Sequence, residues 1–154
     1  MKRAILVATL AFVAGAAGCT RKTSDRDLQF VTPIEALERI NETPGLLGKT
    51  VESAWVDPRP TQQYAEGHVP GAISLPFPRM TAEAEVVLKG YGRFVVYDTG
   101  PDNTIAKAAS KRLMELGFDE VYTLEGGLDA WKRAGNEVQT GVPAPASASP
   151  TRNP

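Results

Sequence analysis

Side chains able to act as nucleophiles, acids or bases are unevenly placed along this 154-residue chain. Its one cysteine, Cys19, closes an apolar leader, so the part that folds after the leader has no thiol of its own. The one histidine is His68, and without a Cys/His cluster the sequence predicts no zinc site and no other metal or cofactor. The remaining candidates are carboxylates, and Asp98 and Asp102 stand out because they lie between an apolar run and a helical segment.

Residues 1–18 have the layout of a secretory signal peptide. Two basic residues precede an uncharged stretch over residues 4–17, which is too short to cross a bilayer core. The stretch ends in Ala16-Ala17-Gly18-Cys19, which resembles the lipobox of bacterial lipoproteins. That resemblance implies that Cys19 is acylated and becomes the first mature residue. Cleavage at a small-x-small site without lipidation is the alternative.

The predicted anchor places the mature chain in the cell envelope, facing the periplasm or the cell exterior. Thr20 follows the cysteine in place of the Asp that commonly marks inner-membrane retention, so an outer membrane is slightly favoured. The chain has 17 basic residues, two of them in the leader, and 18 acidic ones, so the net charge of the mature chain is about −3. Because it has no basic run, nucleic acid is not predicted as a partner. The predicted partners are the membrane and an unidentified protein or small ligand.

The mature chain divides into three segments by composition. Residues 19–27 are predicted to form a lipidated N-terminus and a polar tether, and residues 28–141 a single domain. Residues 142–154 consist mainly of Pro, Ala, Ser and Thr, which predicts a disordered tail.

Within the domain, short apolar segments alternate with helical ones, which predicts an α/β fold. The expected architecture is a central, mostly parallel sheet of about five strands with helices on both faces. The predicted strands are Leu28–Val31, Val51–Val56, Ala72–Leu75, Phe94–Tyr97 and Val121–Leu124. Thr32, Pro33 and Glu35 have the layout of a capping box at the start of the first helix. Further helical segments are predicted over Pro60–Glu66, Thr81–Lys89, Thr104–Leu116 and Leu128–Ala134.

Three segments together carry a family resemblance. They are Trp55-Val56-Asp57-Pro58-Arg59 with the later turn Gly67-His68-Val69-Pro70-Gly71-Ala72, the strand Phe94–Tyr97 with its following loop, and Leu124-Glu125-Gly126-Gly127 with Trp131. In this order and spacing they resemble the rhodanese-like (sulfurtransferase) family over about residues 30–138. The resemblance implies a rhodanese-like fold for the whole domain.

In that family a cysteine ends the central strand and opens a loop whose backbone amides point inward, above the next helix. The corresponding loop here is Asp98-Thr99-Gly100-Pro101-Asp102-Asn103-Thr104. Asp98 stands at the nucleophile position, so no catalytic residue is assigned. The loop also departs from the family in Pro101, which donates no amide, in the second acid Asp102, and in Asn103, where active members often carry Arg.

The other residues of the resemblance have structural interpretations. Asp57 and Arg59 lie at a strand end, where charge-assisted hydrogen bonds could tie the loop to the sheet. In the family's turn motif a histidine such as His68 is ordinarily structural, which argues against a general base. Trp131 is interpreted as core. Tight turns and close packing are the roles assigned to Gly67, Gly71, Gly126 and Gly127, and Pro70 is assigned to the same structural motif.

The sequence therefore favours a membrane-tethered rhodanese-like domain without sulfurtransferase activity, acting as a binding or scaffold module. We expect the Asp98 carboxylate to accept the loop amides as a built-in anion and helix cap, and the alternative is that it faces solvent. The alternative function is rhodanese-type sulfur transfer with a non-standard loop. Phosphatase activity through a phosphocysteine would need the same missing thiol. Hydrolysis with Asp98 as nucleophile or base has no evident partner residue.

Overall fold

The computed structural model describes residues 22–42 and 51–142; the predicted signal peptide, Cys19 and the tail beyond Val142 lie outside the described residues. The strands are β1 (Gln29–Val31), β2 (Glu52–Asp57), β3 (Ile73–Ser74), β4 (Tyr91–Val96) and β5 (Glu120–Leu124). The helices are α1 (Pro33–Asn41), α2 (Thr61–Glu66), α3 (Phe77–Val87), α4 (Thr104–Glu115) and α5 (Gly127–Arg133), with a short 3-10 helix over Asp25–Asp27. None of the helices in these two ranges combines the length and apolar character that crossing a bilayer requires.

The five strands form one parallel sheet in the order β1-β5-β4-β2-β3. This confirms the α/β class and the predicted central sheet with helices on both faces. The central strand β4 has the continuous apolar run expected of a strand covered on both sides. Phe94 and Val96 face one helical layer, while Val95 and the following Tyr97 face the other.

Two apolar layers hold the sheet. On one face Met80 and Ala84 of α3 and Leu113 of α4 pack against β4 and its neighbours. On the other face Tyr64 of α2 and Trp131 of α5 pack with α1. The helix that follows β4 thus lies on the opposite face from the helices that follow β2 and β5. Such a change of side leaves a crevice at the carboxyl ends of the strands, where α/β proteins commonly bind ligands.

The predicted capping box at the start of α1 is confirmed. The Thr32 hydroxyl accepts from the Glu35 amide at 3.4 Å, and the Glu35 carboxylate accepts from the Thr32 amide at 2.8 Å. The hydrogen bonds from Thr32 hold the pKa of the Glu35 carboxyl below its usual value. Local sequence therefore sets the start of this helix.

Two predicted boundaries were wrong by more than two residues. Helix α3 begins at Phe77 rather than Thr81, because Pro78 lies in the first turn, where the missing amide has no intrahelical partner to lose. Strand β4 begins at Tyr91 rather than Phe94. The polar Arg93 does not extend the apolar run, yet it pairs with Glu120 of β5, and its guanidinium contacts the Glu120 carboxylate at 2.6 Å.

Residues 22–27, part of the predicted tether, contact the carboxyl-terminal half of α4. The Thr23 hydroxyl donates to the Lys111 carbonyl at 3.4 Å and to the Glu115 carboxylate at 3.1 Å. Asp25 and Lys111 form an ion pair at 2.6 Å. Leu28, the next residue after this segment, is buried in the layer formed with α3 and α4.

Candidate functional site

The loop over residues 98–103 joins β4 to α4 at the carboxyl edge of the sheet. Because all five strands are parallel, the loops that follow β1, β2, β4 and β5 meet at this edge, which we call the site edge. The tip of the loop is open to solvent: Thr99, Pro101 and Asp102 are exposed and Gly100 is half-buried, while Asp98 and Asn103 are buried at its two ends. Thr104, the first residue of α4, is exposed.

Asp98 occupies the amino end of α4. Its carboxylate accepts hydrogen bonds from the backbone amides of Ile105 at 2.9 Å and Ala106 at 3.4 Å, and from the amide of Thr99. These are the contacts that the capping hypothesis expects of Asp98, and the residue is only 9% exposed rather than facing solvent. The free amides of a helix start normally attract an anion from solution, but here the protein's own carboxylate holds them.

The loop is fastened to the start of α5. The Asp98 carbonyl accepts from the Leu128 amide at 2.7 Å, and the Thr99 carbonyl accepts from the Asp129 amide at 2.9 Å. Gly127 stands between these contacts with φ of +57°, and a Cβ built there would collide with the Asp98 carbonyl group. The Gly126-Gly127 pair at the start of α5 therefore allows the two segments to approach closely.

Asn103 ties the other end of the loop to β5. It adopts a left-handed backbone conformation with φ of 48°, which Asn tolerates better than most residues. Its side-chain amide donates to the Leu124 carbonyl at 3.1 Å. The Oδ1 atom is buried and has no hydrogen-bond partner among the described residues.

A cavity of about 380 Å³ lies beside the loop. Its lining residues come from the loop, the start of α1 and the segment from β5 through α5: Thr32, Pro33, Pro101, Glu125, Gly126, Ala130 and Arg133. Sequence reasoning assigned no site role to Glu125, Ala130 or Arg133. The sequence signal that could have identified them is their position after β5, whose carboxyl end lies beside that of β4. The lining therefore combines a carboxylate and a guanidinium with the apolar Pro33, Pro101 and Ala130.

Asp57 and Arg59 form a buried, bidentate ion pair at the end of β2. The guanidinium donates to the two carboxylate oxygens at 2.9 and 2.6 Å, and to the Gly67 carbonyl at 2.7 Å. The side chains are 0% and 3% exposed. The pair therefore connects the strand end to the turn that begins at Gly67.

Tyr97 lies next to this pair. Burial, followed by the negative charge of Asp57, raises the pKa of the Tyr97 phenol far above its usual value, so the hydroxyl stays neutral. Its oxygen accepts from the Val69 amide at 3.1 Å, and the Arg59 guanidinium lies over the ring. Tyr97 thus holds the same turn from the side of the central strand.

His68 is engaged within this turn. Its Nδ1 atom lies 2.8 Å from the Tyr64 carbonyl, which can only accept, so Nδ1 is the donor. The ring stacks on Tyr64 at 3.7 Å between centroids, and the backbone pairs with Gln139. The turn ends at the exposed Gly71, where φ is +74°. Among the described contacts of His68, none involves the loop at residues 98–103.

Trp131, in α5, is buried in the core. Its ring packs edge-on against Trp55 at 5.0 Å, and its indole N–H donates to the Glu137 carbonyl at 2.7 Å. The side chain is therefore engaged in packing on the face formed by α1, α2 and α5.

Replacing the capping carboxylate should lower stability. We expect Asp98→Ala to reduce the free energy of unfolding by about 1 kcal/mol, because the amides of Ile105 and Ala106 lose their acceptor. Asp98→Asn should lose less, since it retains an acceptor oxygen. Urea denaturation measures both. The control is Asp102→Ala, an exposed position in the same loop, which should stay within about 0.5 kcal/mol. Equal losses at both positions would contradict the capping role.

Comparison with known proteins identifies the fold that carries this loop. The family model described as "Rhodanese-like domain" matches residues 33–134. The HTH-type transcriptional regulator Rv0324 of Mycobacterium tuberculosis is 35% identical over 92 residues, which are 60% of this chain and 40% of that protein. The chain therefore spans less than half the length of that relative.

Solved structures are similar over most of the chain. The BH2092 protein from Bacillus halodurans has a TM-score of 0.60 and 26% identity, covering 81% of this chain and 85% of that one. The rhodanese-like domain of the Alr3790 protein from Anabaena sp. has a TM-score of 0.58 and 25% identity, covering 80% and 86%. Thiosulfate sulfurtransferase from Pseudomonas aeruginosa has a TM-score of 0.59 at 20% identity, covering 79% and 20%, and this likeness concerns the fold alone.

Proposed function

Because this chain belongs to the rhodanese-like domain family, we propose that it is a non-catalytic member that binds a ligand or protein partner in the cell envelope. An acylated Cys19 holds it at the membrane. The observation that carries the proposal is the position of the Asp98 carboxylate, which caps the helix start where the family places its reactive thiol.

A carboxylate at this position closes the covalent route. Sulfur transfer through a persulfide requires a thiolate that attacks the donor sulfur and then releases it, and an Asp oxygen cannot form that intermediate. Cys19 is the chain's only thiol, and it precedes the domain. A phosphatase that works through phosphocysteine is excluded by the same argument, since Asp98 provides no sulfur nucleophile.

The charge of Asp98 also disfavours small anions at the loop. Thiosulfate or phosphate would have to displace the carboxylate from the amides of Ile105 and Ala106, and would meet its negative charge at close range. Recognition therefore moves to the neighbouring cavity, whose volume of about 380 Å³ falls within the usual range for ligand pockets. Arg133 and Glu125 supply charged groups there, while Pro33 and Pro101 supply apolar surface.

A binding role also agrees with the context of a relative. The Mycobacterium tuberculosis protein is named as a transcriptional regulator, and a segment similar to this domain forms part of it. The present chain matches 40% of that protein, and DNA binding is not carried over to it. The relative therefore supports only the proposal that such a domain can serve in binding.

The proposal is tested by a thiosulfate-to-cyanide assay on residues 22–142. We expect thiocyanate formation no faster than in buffer, because no group on the domain can carry the sulfur. The thiosulfate sulfurtransferase from Pseudomonas aeruginosa serves as the positive control. Clear turnover by the domain would reject the proposal in favour of the alternative, sulfur transfer with a non-standard loop.

A further inference from the structure

The N-terminal segment leaves the domain at the edge of the sheet opposite the candidate site. Helix α4 begins at the loop and runs back against the direction of the strands, so Glu115 at its end lies near the amino ends of the strands. Thr23 contacts Lys111 and Glu115 there, and Asp25 pairs with Lys111 at 2.6 Å. We call this the basal edge.

Several contacts together hold the segment at the basal edge. The hydrogen bond and charge of Lys111 hold the pKa of the Asp25 carboxyl below its usual value, so this carboxyl is ionised at neutral pH. The short 3-10 helix over Asp25–Asp27 is stabilised by hydrogen bonds from Ser24 to the Asp27 carboxylate at 2.7 and 2.9 Å. Buried Leu28 then anchors the segment in the core.

The two edges lie far apart compared with the remaining linker. The length of α4 and of β4 separates the basal edge from the loop by about 20 Å. Four residue steps join Cys19 to Thr23, and even a fully extended chain would cover only about 14 Å over that distance. A lipid on Cys19 would therefore hold the basal edge close to the bilayer. If the segment were not docked and the chain were free up to Leu28, the linker could span about twice the 14 Å.

We infer that residues 22–28, docked on α4, orient the anchored domain with the site edge away from the bilayer, so that its ligand is a soluble one arriving from the aqueous side. This inference rests on the proposed lipid anchor and deepens the proposed function by excluding membrane lipid as the ligand of the site. The docked segment thus acts as a spacer of fixed direction.

The test uses the full lipidated protein, purified from membranes and reconstituted into phosphatidylethanolamine and phosphatidylglycerol vesicles. Because the anchor consumes the only native thiol, one added cysteine can be labelled with a fluorescent donor. The two variants are Asp102→Cys, at the site edge, and Lys89→Cys, in the exposed turn just before the amino end of β4 and so at the basal edge. Acceptor lipids in the bilayer report each donor's height. We expect the donor at residue 102 to lie about 20 Å higher than the donor at residue 89.

A charge reversal tests whether docking sets this orientation. Asp25→Lys should place two ammonium groups together and reduce the height difference between the two donors, and adding Lys111→Glu should restore it. Equal heights of the two donors without the charge reversal would overturn the inference. A height difference that survives Asp25→Lys would overturn it as well. The Cys19→Ser variant distinguishes a wrong orientation from a wrong anchor, because it cannot be acylated and should not float with vesicles. If the protein with Cys19 also fails to float, the proposed anchor is wrong.

Discussion

Arg59→Met is expected to destabilise the domain by about 3–5 kcal/mol, the range for breaking a buried ion pair at one partner. The substitution leaves the Asp57 carboxylate buried without its guanidinium and removes the donor to the Gly67 carbonyl. The turn containing His68 loses its connection to β2. Urea denaturation of the purified domain measures the change in the free energy of unfolding.

Two further variants make this result specific. The exposed pair of Arg79 and Glu83 provides a matched control, and Arg79→Met should cost less than about 1 kcal/mol. The double variant Asp57→Asn/Arg59→Met should lose less than the sum of its single substitutions, because no unpaired charge remains buried. A loss at Arg59 no larger than that at Arg79 would show that the buried pair does not hold the turn.

Gly127→Ala is expected to reduce the free energy of unfolding by about 2–5 kcal/mol. A left-handed conformation costs an L-residue about 1–2 kcal/mol, and overpacking against the Asp98 carbonyl adds about 1–3 kcal/mol. The new methyl group should also push the loop away from α5. Amide chemical shifts of Thr99 and Leu128 would report that displacement alongside the denaturation curve.

Gly71→Ala separates the two causes. Gly71 has φ of +74°, but a Cβ there meets nothing within 4 Å, so only the backbone cost of about 1–2 kcal/mol applies. If both alanine variants lose the same stability and the loop resonances stay in place, the close approach between Gly127 and Asp98 is not required.

Local patterns were sufficient to predict much of this fold. The capping box of Thr32 and Glu35 set the start of α1, and the apolar run at Phe94–Tyr97 identified the central strand. The Asp57–Arg59 pair needed only the spacing of two charged residues across a strand end. Each of these features depends on residues within a few positions of one another, so the sequence displays them directly.

Features that depend on distant residues could not be predicted in the same way. The docking of Asp25 on Lys111 joins residues 86 positions apart, and no local pattern distinguishes such a segment from a solvated tether. The cavity is assembled from the start of α1, the loop and α5, so its lining is known only when the sheet order is known. The early start of β4 likewise involves Arg93, whose partner Glu120 lies on β5 and is distant in sequence.

The most direct measurement of the central claim is a thiosulfate titration followed by amide chemical shifts of the unaltered domain and of Asp98→Ala. We expect no saturable shifts in the unaltered domain. Asp98→Ala should bind the anion with changes at the Ile105 and Ala106 amides, which the carboxylate no longer occupies. Saturable binding at those two amides in the unaltered domain would contradict the claim.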